Sequence, residues 1–107
     1  MDDADRIIHE PARLTIMAIL SGAQEVDFLY LLRETGPTKG NLSSHLAKLE
    51  EPAYIDIEKT YRGKIPLTLI RLTPAGRAAF QGYRKRINGL LNGQGKNRVV
   101  AHRLVAE

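Results

Sequence analysis

The hydrophobic period of this chain changes at Pro52, and that change constrains the fold more than any other feature of the sequence. Before Pro52, apolar residues recur about every 3.6 positions, which is the repeat of amphipathic helices. After it, Ile55 and Ile57 alternate with charged residues, which is typical of a half-buried strand. A chain of 107 residues suffices for one compact domain, so the helices and strands must share one core.

Three helices are predicted before this change. The first covers residues 10–20 and the second covers residues 26–35, where Asp27 is a suitable N-cap. The third covers residues 38–50, with Thr38 as its N-cap and leucines at helical spacing. Two short helices joined by a tight turn with glycine match the helix-turn-helix pattern.

A β-hairpin is predicted after the third helix. Residues 54–59 form its first strand, residues 60–64 have the polarity and glycine of a hairpin tip, and residues 65–72 return as the second strand. Because proline donates no backbone hydrogen bond, we expect Pro66 to lie on an edge.

A long helix is predicted to follow, with Thr73 as N-cap, and to end near Gly93. The sequence thus predicts a mainly α fold with a small β-hairpin, the winged helix layout of three helices, a two-stranded wing and a long C-terminal helix. Residues 1–93 would form the domain with its dimerisation helix, and residues 94–107 a basic tail.

The net charge of +4 is unevenly distributed. Residues 1–58 carry five basic and eleven acidic residues, whereas residues 59–107 carry eleven basic residues and one acidic residue. Such asymmetry indicates contact with nucleic acid or a membrane surface, although a solvated protein face has the same composition.

Several classes of protein are excluded by composition. The absence of cysteine removes disulfides, thiolate metal sites and cysteine nucleophiles. The longest apolar stretches are about five residues, far short of the roughly 18 that cross a bilayer. Residues 1–6 are acidic, unlike the basic start of a signal peptide. We therefore expect no membrane contact and a cytoplasmic location.

The third predicted helix has a small, polar outer face. Gly40, Asn41, Ser44 and Lys48 lie opposite its leucines, and Ser43 and His45 lie on the flanks. Small residues let a helix backbone approach the major groove while polar side chains reach bases and phosphates. The alternative is an ordinary solvated helix face.

The predicted hairpin tip is basic. Lys59, Arg62 and Lys64 surround Gly63, so cationic side chains are placed where they can follow a phosphate backbone or enter a minor groove. The alternative is a solvated turn, since hairpin tips commonly carry lysine and arginine.

Two runs of residues resemble a known family. Gly-Asn-Leu-Ser-Ser-His-Leu at 40–46 and Leu-Thr-x-x-Gly-Arg at 72–77 are similar in spacing and order to the winged helix DNA-binding domains of MarR and ArsR regulators. The resemblance covers residues 10–85. It implies a transcriptional regulator that binds double-stranded operator DNA as a homodimer.

The resemblance also implies which residues contact DNA. The major-groove residues would be Thr38, Lys39, Asn41, Ser43, Ser44, His45 and Lys48. The wing would contribute Arg62 and Lys64.

The sequence departs from the family pattern after the third helix. Such domains usually have Ala-Gly at this exit, whereas this chain has Glu51-Pro52-Ala53. Proline disfavours helical geometry in Glu51, and Ala53 resists the positive φ that glycine adopts easily. We therefore expect the helix to stop early or to leave by a different path.

An apolar stripe along the last helix indicates dimerisation. Its members are Tyr83, Ile87, Leu90 and Leu91. We expect Ile7 and Ile8, which precede the first predicted helix, to join it. The alternative is that the last helix folds back onto its own core.

No catalytic or metal-binding constellation is found. His9, His45 and His102 lie far apart in the sequence, and no phosphate loop or nucleophile motif accompanies them. We expect no enzymatic activity, cofactor or metal. Two other hypotheses stay open: a winged helix adaptor that binds another protein without specific DNA binding, and a regulator with an unknown small-molecule effector in its dimer cleft.

Overall fold

The computed structural model describes the backbone of residues 2–106 and the side chains of residues 2–91. It has the predicted winged helix architecture, with helices that surround a small antiparallel sheet. Within the described backbone, the elements are α1 (Asp3–His9), α2 (Pro11–Ser21), β1 (Val26–Asp27), α3 (Phe28–Thr35), α4 (Lys39–Glu50), β2 (Ile55–Arg62), β3 (Ile65–Leu72) and α5 (Pro74–Ala106).

Helix α1 is absent from the sequence prediction. Its N-cap is Asp2, whose Oδ1 accepts a hydrogen bond from the backbone N–H of Asp5 at 2.8 Å. Acidic residues in the first turn interact favourably with the positive end of the helix dipole. Ile8 is fully buried in the core of the same chain, and Ile7 packs against that core. Two adjacent isoleucines give no helical period, which is why the pattern missed a seven-residue helix.

The next three helices confirm the prediction to within two residues at each end. Asp27 caps α3 by accepting the N–H of Tyr30 at 2.8 Å, and Thr38 caps α4 by accepting the N–H of Asn41 at 3.1 Å. Gly36 ends α3 in the left-handed conformation with φ 77°, which glycine adopts without a Cβ clash.

The first strand of the hairpin is longer and the tip is tighter than predicted. Arg62 pairs with Ile65, so only Gly63 and Lys64 form the turn and the predicted tip residues 60–62 belong to β2. Gly63 has φ 63° at the first central position, as a type II′ turn requires. We call this β2–β3 hairpin the wing.

A short strand was missed before α3. The sheet has the order β1-β3-β2, and Val26 and Asp27 of β1 pair with Ile70 and Leu69. A two-residue strand is too short for a period to reveal it. Pro66 therefore lies on the central strand. Because β1 does not extend as far as Pro66, the side of Pro66 away from β2 has no neighbouring strand and is an edge, as predicted.

The core is built from the inner faces of these elements. Fully or nearly buried side chains come from every helix and from both wing strands: Ile8, Ile16, Met17, Leu20, Leu31, Leu42, Leu46, Leu49, Ile55, Ile70, Phe80 and Tyr83. Burial of this apolar surface fixes α4 against α2 and the base of the wing.

Helix α5 starts as predicted and continues farther. Thr73 Oγ1 accepts the N–H of Gly76 at 2.9 Å, and a Cβ on Gly76 would lie 2.0 Å from the carbonyl oxygen of Tyr54. The predicted end at Gly93 is wrong, because α5 continues to Ala106. A glycine inside a helix costs only about 1 kcal/mol, so glycine alone does not end a helix.

The predicted division of the chain at residue 93 remains a prediction. The side chains of the predicted basic tail, including His102, lie outside the described residues.

Candidate nucleic-acid interface

One face of α4 consists of exposed, mostly small and polar residues. The side chains of Leu42, Leu46 and Leu49 are buried, and the residues on the opposite side of the helix are exposed. The exposed residues from 38 to 50 are Thr38, Lys39, Gly40, Asn41, Ser43, Ser44, Ala47, Lys48 and Glu50. Six of the seven major-groove residues expected from the resemblance are therefore exposed, and we call α4 the recognition helix.

His45 is the seventh expected residue, and it lies apart from the others. Its side chain is only 20% exposed, and its Nδ1 lies 3.2 Å from Nη1 of Arg13 on α2. Oε1 of Glu10 lies 3.8 Å from the same nitrogen. The structure therefore places His45 against α2 instead of on the exposed face.

Glu10 is held by the same cluster. Its Oε1 accepts the backbone N–H of Arg13 at 3.0 Å and so caps α2. This hydrogen bond lowers the pKa of the Glu10 carboxyl below its usual value, and the nearby charge of Arg13 adds to the effect.

The exit of the recognition helix corrects the expectation from Pro52. Glu51 keeps helical angles, with φ −54° and ψ −49°, and Ala53 adopts the left-handed conformation with φ 63°. The N–H of Ala53 donates to the carbonyl of Glu50 at 2.8 Å, and the N–H of Tyr54 donates to the carbonyl of Leu49 at 3.0 Å. These two bonds form the Schellman motif that usually ends in glycine.

The strain at Ala53 is offset by further contacts. Thr73 Oγ1 donates a hydrogen bond to the carbonyl of Ala53 at 2.6 Å, and the backbone N–H of Thr73 donates to the carbonyl of Tyr54 at 3.0 Å. The helix exit is therefore fixed to the start of α5, and this explains why alanine keeps the conformation preferred by glycine.

The two faces of the wing carry different cations. Side chains alternate along β2, so Lys59 shares its face with the core residues Ile55 and Ile57. Together with Ser43, Ala47 and the acidic Glu50 of the recognition helix, Lys59 lines a groove of about 650 Å³ between α4 and the wing. Lys59 was predicted as part of the basic hairpin tip but was not among the wing contacts that the resemblance implies, although the period-2 pattern could have placed it on this face.

Arg62 lies on the opposite face of the wing. It lines a cavity of about 400 Å³ with Asp27 and Leu29, on the side of the sheet that is turned away from the recognition helix. Lys64 lies in the exposed turn. The structure therefore brings Lys59 toward the recognition helix, leaves Lys64 at the tip and places Arg62 on the face opposite to Lys59.

The acidic residues of the sheet are partly neutralised. Nη2 of Arg71 lies 2.9 Å from Oε1 of Glu25 and 2.6 Å from Oε1 of Glu58. Nη2 of Arg71 donates a hydrogen bond to Oε1 of Glu58, and Nε donates one to Oε1 of Glu25. These two bonds, the one to Glu58 first, raise the pKa of the Arg71 guanidinium. Within the part of the chain whose side chains are described, Lys48, Lys59, Arg62 and Lys64 form no ion pair.

The predicted dimerisation stripe is divided between core and surface. Tyr83 is buried in its own chain, where its hydroxyl lies 2.8 Å from Nδ1 of His9, and Ile87 packs against the core. Leu90 and Leu91 are 65% and 54% exposed. The part of α5 that carries Tyr83 and Ile87 packs against the core of its own chain, so only Leu90 and Leu91 of the stripe face solvent.

Two searches of the described residues bear on other functions. No helix among them combines the length and hydrophobicity that a membrane span requires. Residues 2–91 hold no group of three histidine, cysteine, aspartate or glutamate side chains placed to bind a metal ion.

Comparison with known proteins gives concordant matches. A family model described as a winged helix DNA-binding domain matches residues 12–91. An uncharacterized protein of Methanocaldococcus jannaschii is 37% identical over 79 residues, which cover 73% of this chain and 85% of the relative.

Solved structures have the same architecture. The transcriptional regulator homologue from Pyrococcus horikoshii OT3 superposes with a TM-score of 0.78 at 25% identity and covers 83% of this chain and 88% of that chain. A protein described as a MarR-family transcriptional regulator from Enterococcus faecalis gives a TM-score of 0.73 at 22% identity, over 92% of this chain and 94% of that chain. At 22% identity the similarity shows a shared fold alone.

Proposed function

This chain belongs to the family of winged helix DNA-binding domains, and from that premise we propose that it regulates transcription by binding duplex DNA sequence-specifically as a homodimer. The recognition helix would enter the major groove. The wing would contact the backbone or the adjacent minor groove. A cytoplasmic location follows from this proposal, as does the absence of enzymatic activity.

One observation carries the proposal: the exposed polar face of the recognition helix adjoins a groove lined by Lys59 of the wing. A major groove is about 12 Å wide and admits an α-helix. The small side chains of Gly40, Ser43 and Ser44 allow close approach of the helix backbone. Asn41 and Lys48 supply groups that bind base edges and phosphates.

The phosphate strand that separates the two grooves would lie between the recognition helix and the wing. Lys59 and Lys64 are the cations nearest to that path in the proposal. Arg62 stays a predicted contact, and its position on the far face of the wing makes its contribution a sensitive test of how DNA lies on the protein.

The homodimer would use the exposed end of the apolar stripe. Leu90 and Leu91 lie one after the other on α5, and a second copy would bury both by two-fold symmetry. Such a dimer would present two recognition helices to half-sites about 34 Å apart, one DNA turn. Sedimentation at micromolar concentration should give twice the mass of the chain, and a monomer would contradict the dimer.

The first test is DNA binding by the purified protein. A fluorescent duplex with the upstream region of its own gene should bind more tightly than an unrelated duplex, and affinity should fall as salt rises from low to physiological concentration. Equal binding to both duplexes would contradict sequence specificity. No binding even at low salt would contradict DNA recognition altogether.

A protein partner is the second candidate function, and exposed apolar residues favour it. Leu29 and Ile65 are 57% and 67% exposed and line the same cavity on the far face of the wing. If the chain binds no DNA, co-purification of a stoichiometric partner lost on Ile65→Glu would support the adaptor. The small-molecule effector stays a prediction without a residue assigned to it.

A further inference from the structure

A single side chain connects the recognition helix to other elements by hydrogen bonding. Among residues 2–91, His45 is the only residue of α4 whose side chain forms a hydrogen bond with another helix or strand. The remaining contacts of α4 with the core are those of its buried leucines. Apolar burial is non-directional, whereas a hydrogen bond fixes both distance and angle.

Arg13 is the partner of His45 and connects three helices. Its Nε donates to the carbonyl oxygen of Ile7 on α1 at 2.6 Å, and its Nη1 lies 3.2 Å from Nδ1 of His45. Because a guanidinium only donates hydrogen bonds, Nδ1 must accept. The neutral ring therefore carries its proton on Nε2 in this arrangement, while Glu10 lies at 3.8 Å.

Helix α1 is tied in turn to α5. The guanidinium of Arg86 forms two parallel hydrogen bonds with the carboxylate of Asp5, and the hydroxyl of Tyr83 lies 2.8 Å from Nδ1 of His9. A polar path thus leads from α5 through α1 and Arg13 to the recognition helix. Its members lie away from the exposed face that would contact DNA.

We propose that His45 and Arg13 are positioning residues that fix the recognition helix relative to α1 and α2, and that they act on DNA affinity without touching DNA. This proposal rests on the proposed function for its binding readout. It reassigns His45, which the resemblance places at the major groove, to a support for the residues that are exposed beside it.

The variants distinguish the effect of the hydrogen-bond acceptor at residue 45 from the effect of its side-chain volume. His45→Asn keeps an acceptor atom near the place of Nδ1, whereas His45→Leu keeps the bulk without an acceptor. Arg13→Met removes the donor. Arg6→Met is the matched control, because Arg6 is an exposed arginine of α1 whose ion pair with Asp3 spans 3.8 Å.

DNA affinity should depend on whether residue 45 offers a hydrogen-bond acceptor. At pH 8, His45→Leu and Arg13→Met should each weaken binding about tenfold, and the double variant should lose no more than either one. His45→Asn and Arg6→Met should remain within about twofold of the original protein. The slope of log affinity against log salt should stay unchanged, because no phosphate contact is lost.

Two binding results would overturn the proposal. Unchanged affinity in His45→Leu would show that this hydrogen bond does not position the recognition helix. Equal losses in His45→Asn and His45→Leu, with the affinity of Arg13→Met unchanged, would make His45 a direct DNA contact. Thermal unfolding of each variant separates these losses from loss of the fold.

A second readout needs no DNA and so separates this proposal from the proposed function. The imidazole ¹⁵N spectrum should show an unprotonated, hydrogen-bonded Nδ1 in His45 that shifts in Arg13→Met and not in Arg6→Met. Amide exchange in residues 39–50 should become faster in Arg13→Met while global stability changes less. An unchanged Nδ1 signal and unchanged exchange would overturn the positioning role even if the chain binds no DNA.

Discussion

The recognition helix and the wing form the two parts of the proposed DNA surface, and they are held in different ways. Every leucine on the inner face of α4 is at most 3% exposed, so the helix is anchored along its length. In the wing, every residue from 61 to 66 is exposed, so the tip depends on the β2–β3 ladder. Substitutions of the buried leucines of the helix should therefore affect stability, whereas substitutions in the wing should affect DNA binding.

The sharpest contrast is between one buried and one exposed apolar residue. Leu46→Ala removes a side chain that is 3% exposed, and we expect a loss of about 2–5 kcal/mol in the free energy of unfolding. Ile65→Ala at the wing, 67% exposed, should change it by less than about 0.5 kcal/mol. Urea titration of both variants measures the difference, and similar losses would refute the contrast.

The joint between the two parts should be the next most sensitive position. Gly76→Ala places a Cβ 2.0 Å from the carbonyl oxygen of Tyr54, where the exit of the recognition helix meets α5. Because backbone atoms must move, we expect a loss of about 1–3 kcal/mol. Gly40→Ala is the control, since a Cβ there meets no atom within 4 Å. Thermal unfolding compares the two.

Ala53→Gly should act at the same joint in the opposite direction. The left-handed conformation at φ 63° costs an alanine about 1–2 kcal/mol, whereas the additional backbone entropy of glycine costs about 0.5–1 kcal/mol. The net expectation is a gain of about 0.5 kcal/mol, the difference between those two costs. A loss of stability in urea titration would show that the four hydrogen bonds around the exit already relieve the strain.

The wing variants should have the smallest effects on stability and distinct effects on DNA binding. Lys59→Ala, like Lys48→Ala on the helix, should lower the slope of log affinity against log salt by about one, because each removes a cation from the proposed phosphate path. Arg62→Ala should lower it less, since Arg62 lies on the far face. An equal loss in all three would mean that DNA surrounds both faces of the wing.

Sequence reasoning predicted α2 to α5, the hairpin and the exposed face of α4 because each has a local signal. Caps at Asp27 and Thr38 and the spacing of the leucines need no knowledge of distant residues. The position of His45 could not be predicted in this way, because its partners Arg13 and Glu10 are remote in sequence. A residue on the flank of a helix takes its orientation from whatever packs beside it.

Other misses have physical reasons of the same kind. Ala53 was expected to avoid a positive φ, yet hydrogen bonds from Tyr54 and Thr73 outweigh its local preference. Tyr83 was expected at a dimer surface, and its burial depends on α1, which has too few residues to show a period. Local propensity decides where elements begin, and tertiary contacts decide these exceptions.

The short β1 and the proline of β3 together bear on how the protein behaves at high concentration. Because β1 pairs only with Leu69 and Ile70, the edge of β3 from Ile65 to Thr68 has no neighbouring strand on that side. Open strand edges can pair with strands of other molecules, which leads to aggregates. Pro66 removes the amide donor from the middle of that edge. This side of the sheet is thereby protected against regular pairing with another sheet, which leaves the outer edge of β2 as the place where two sheets can pair.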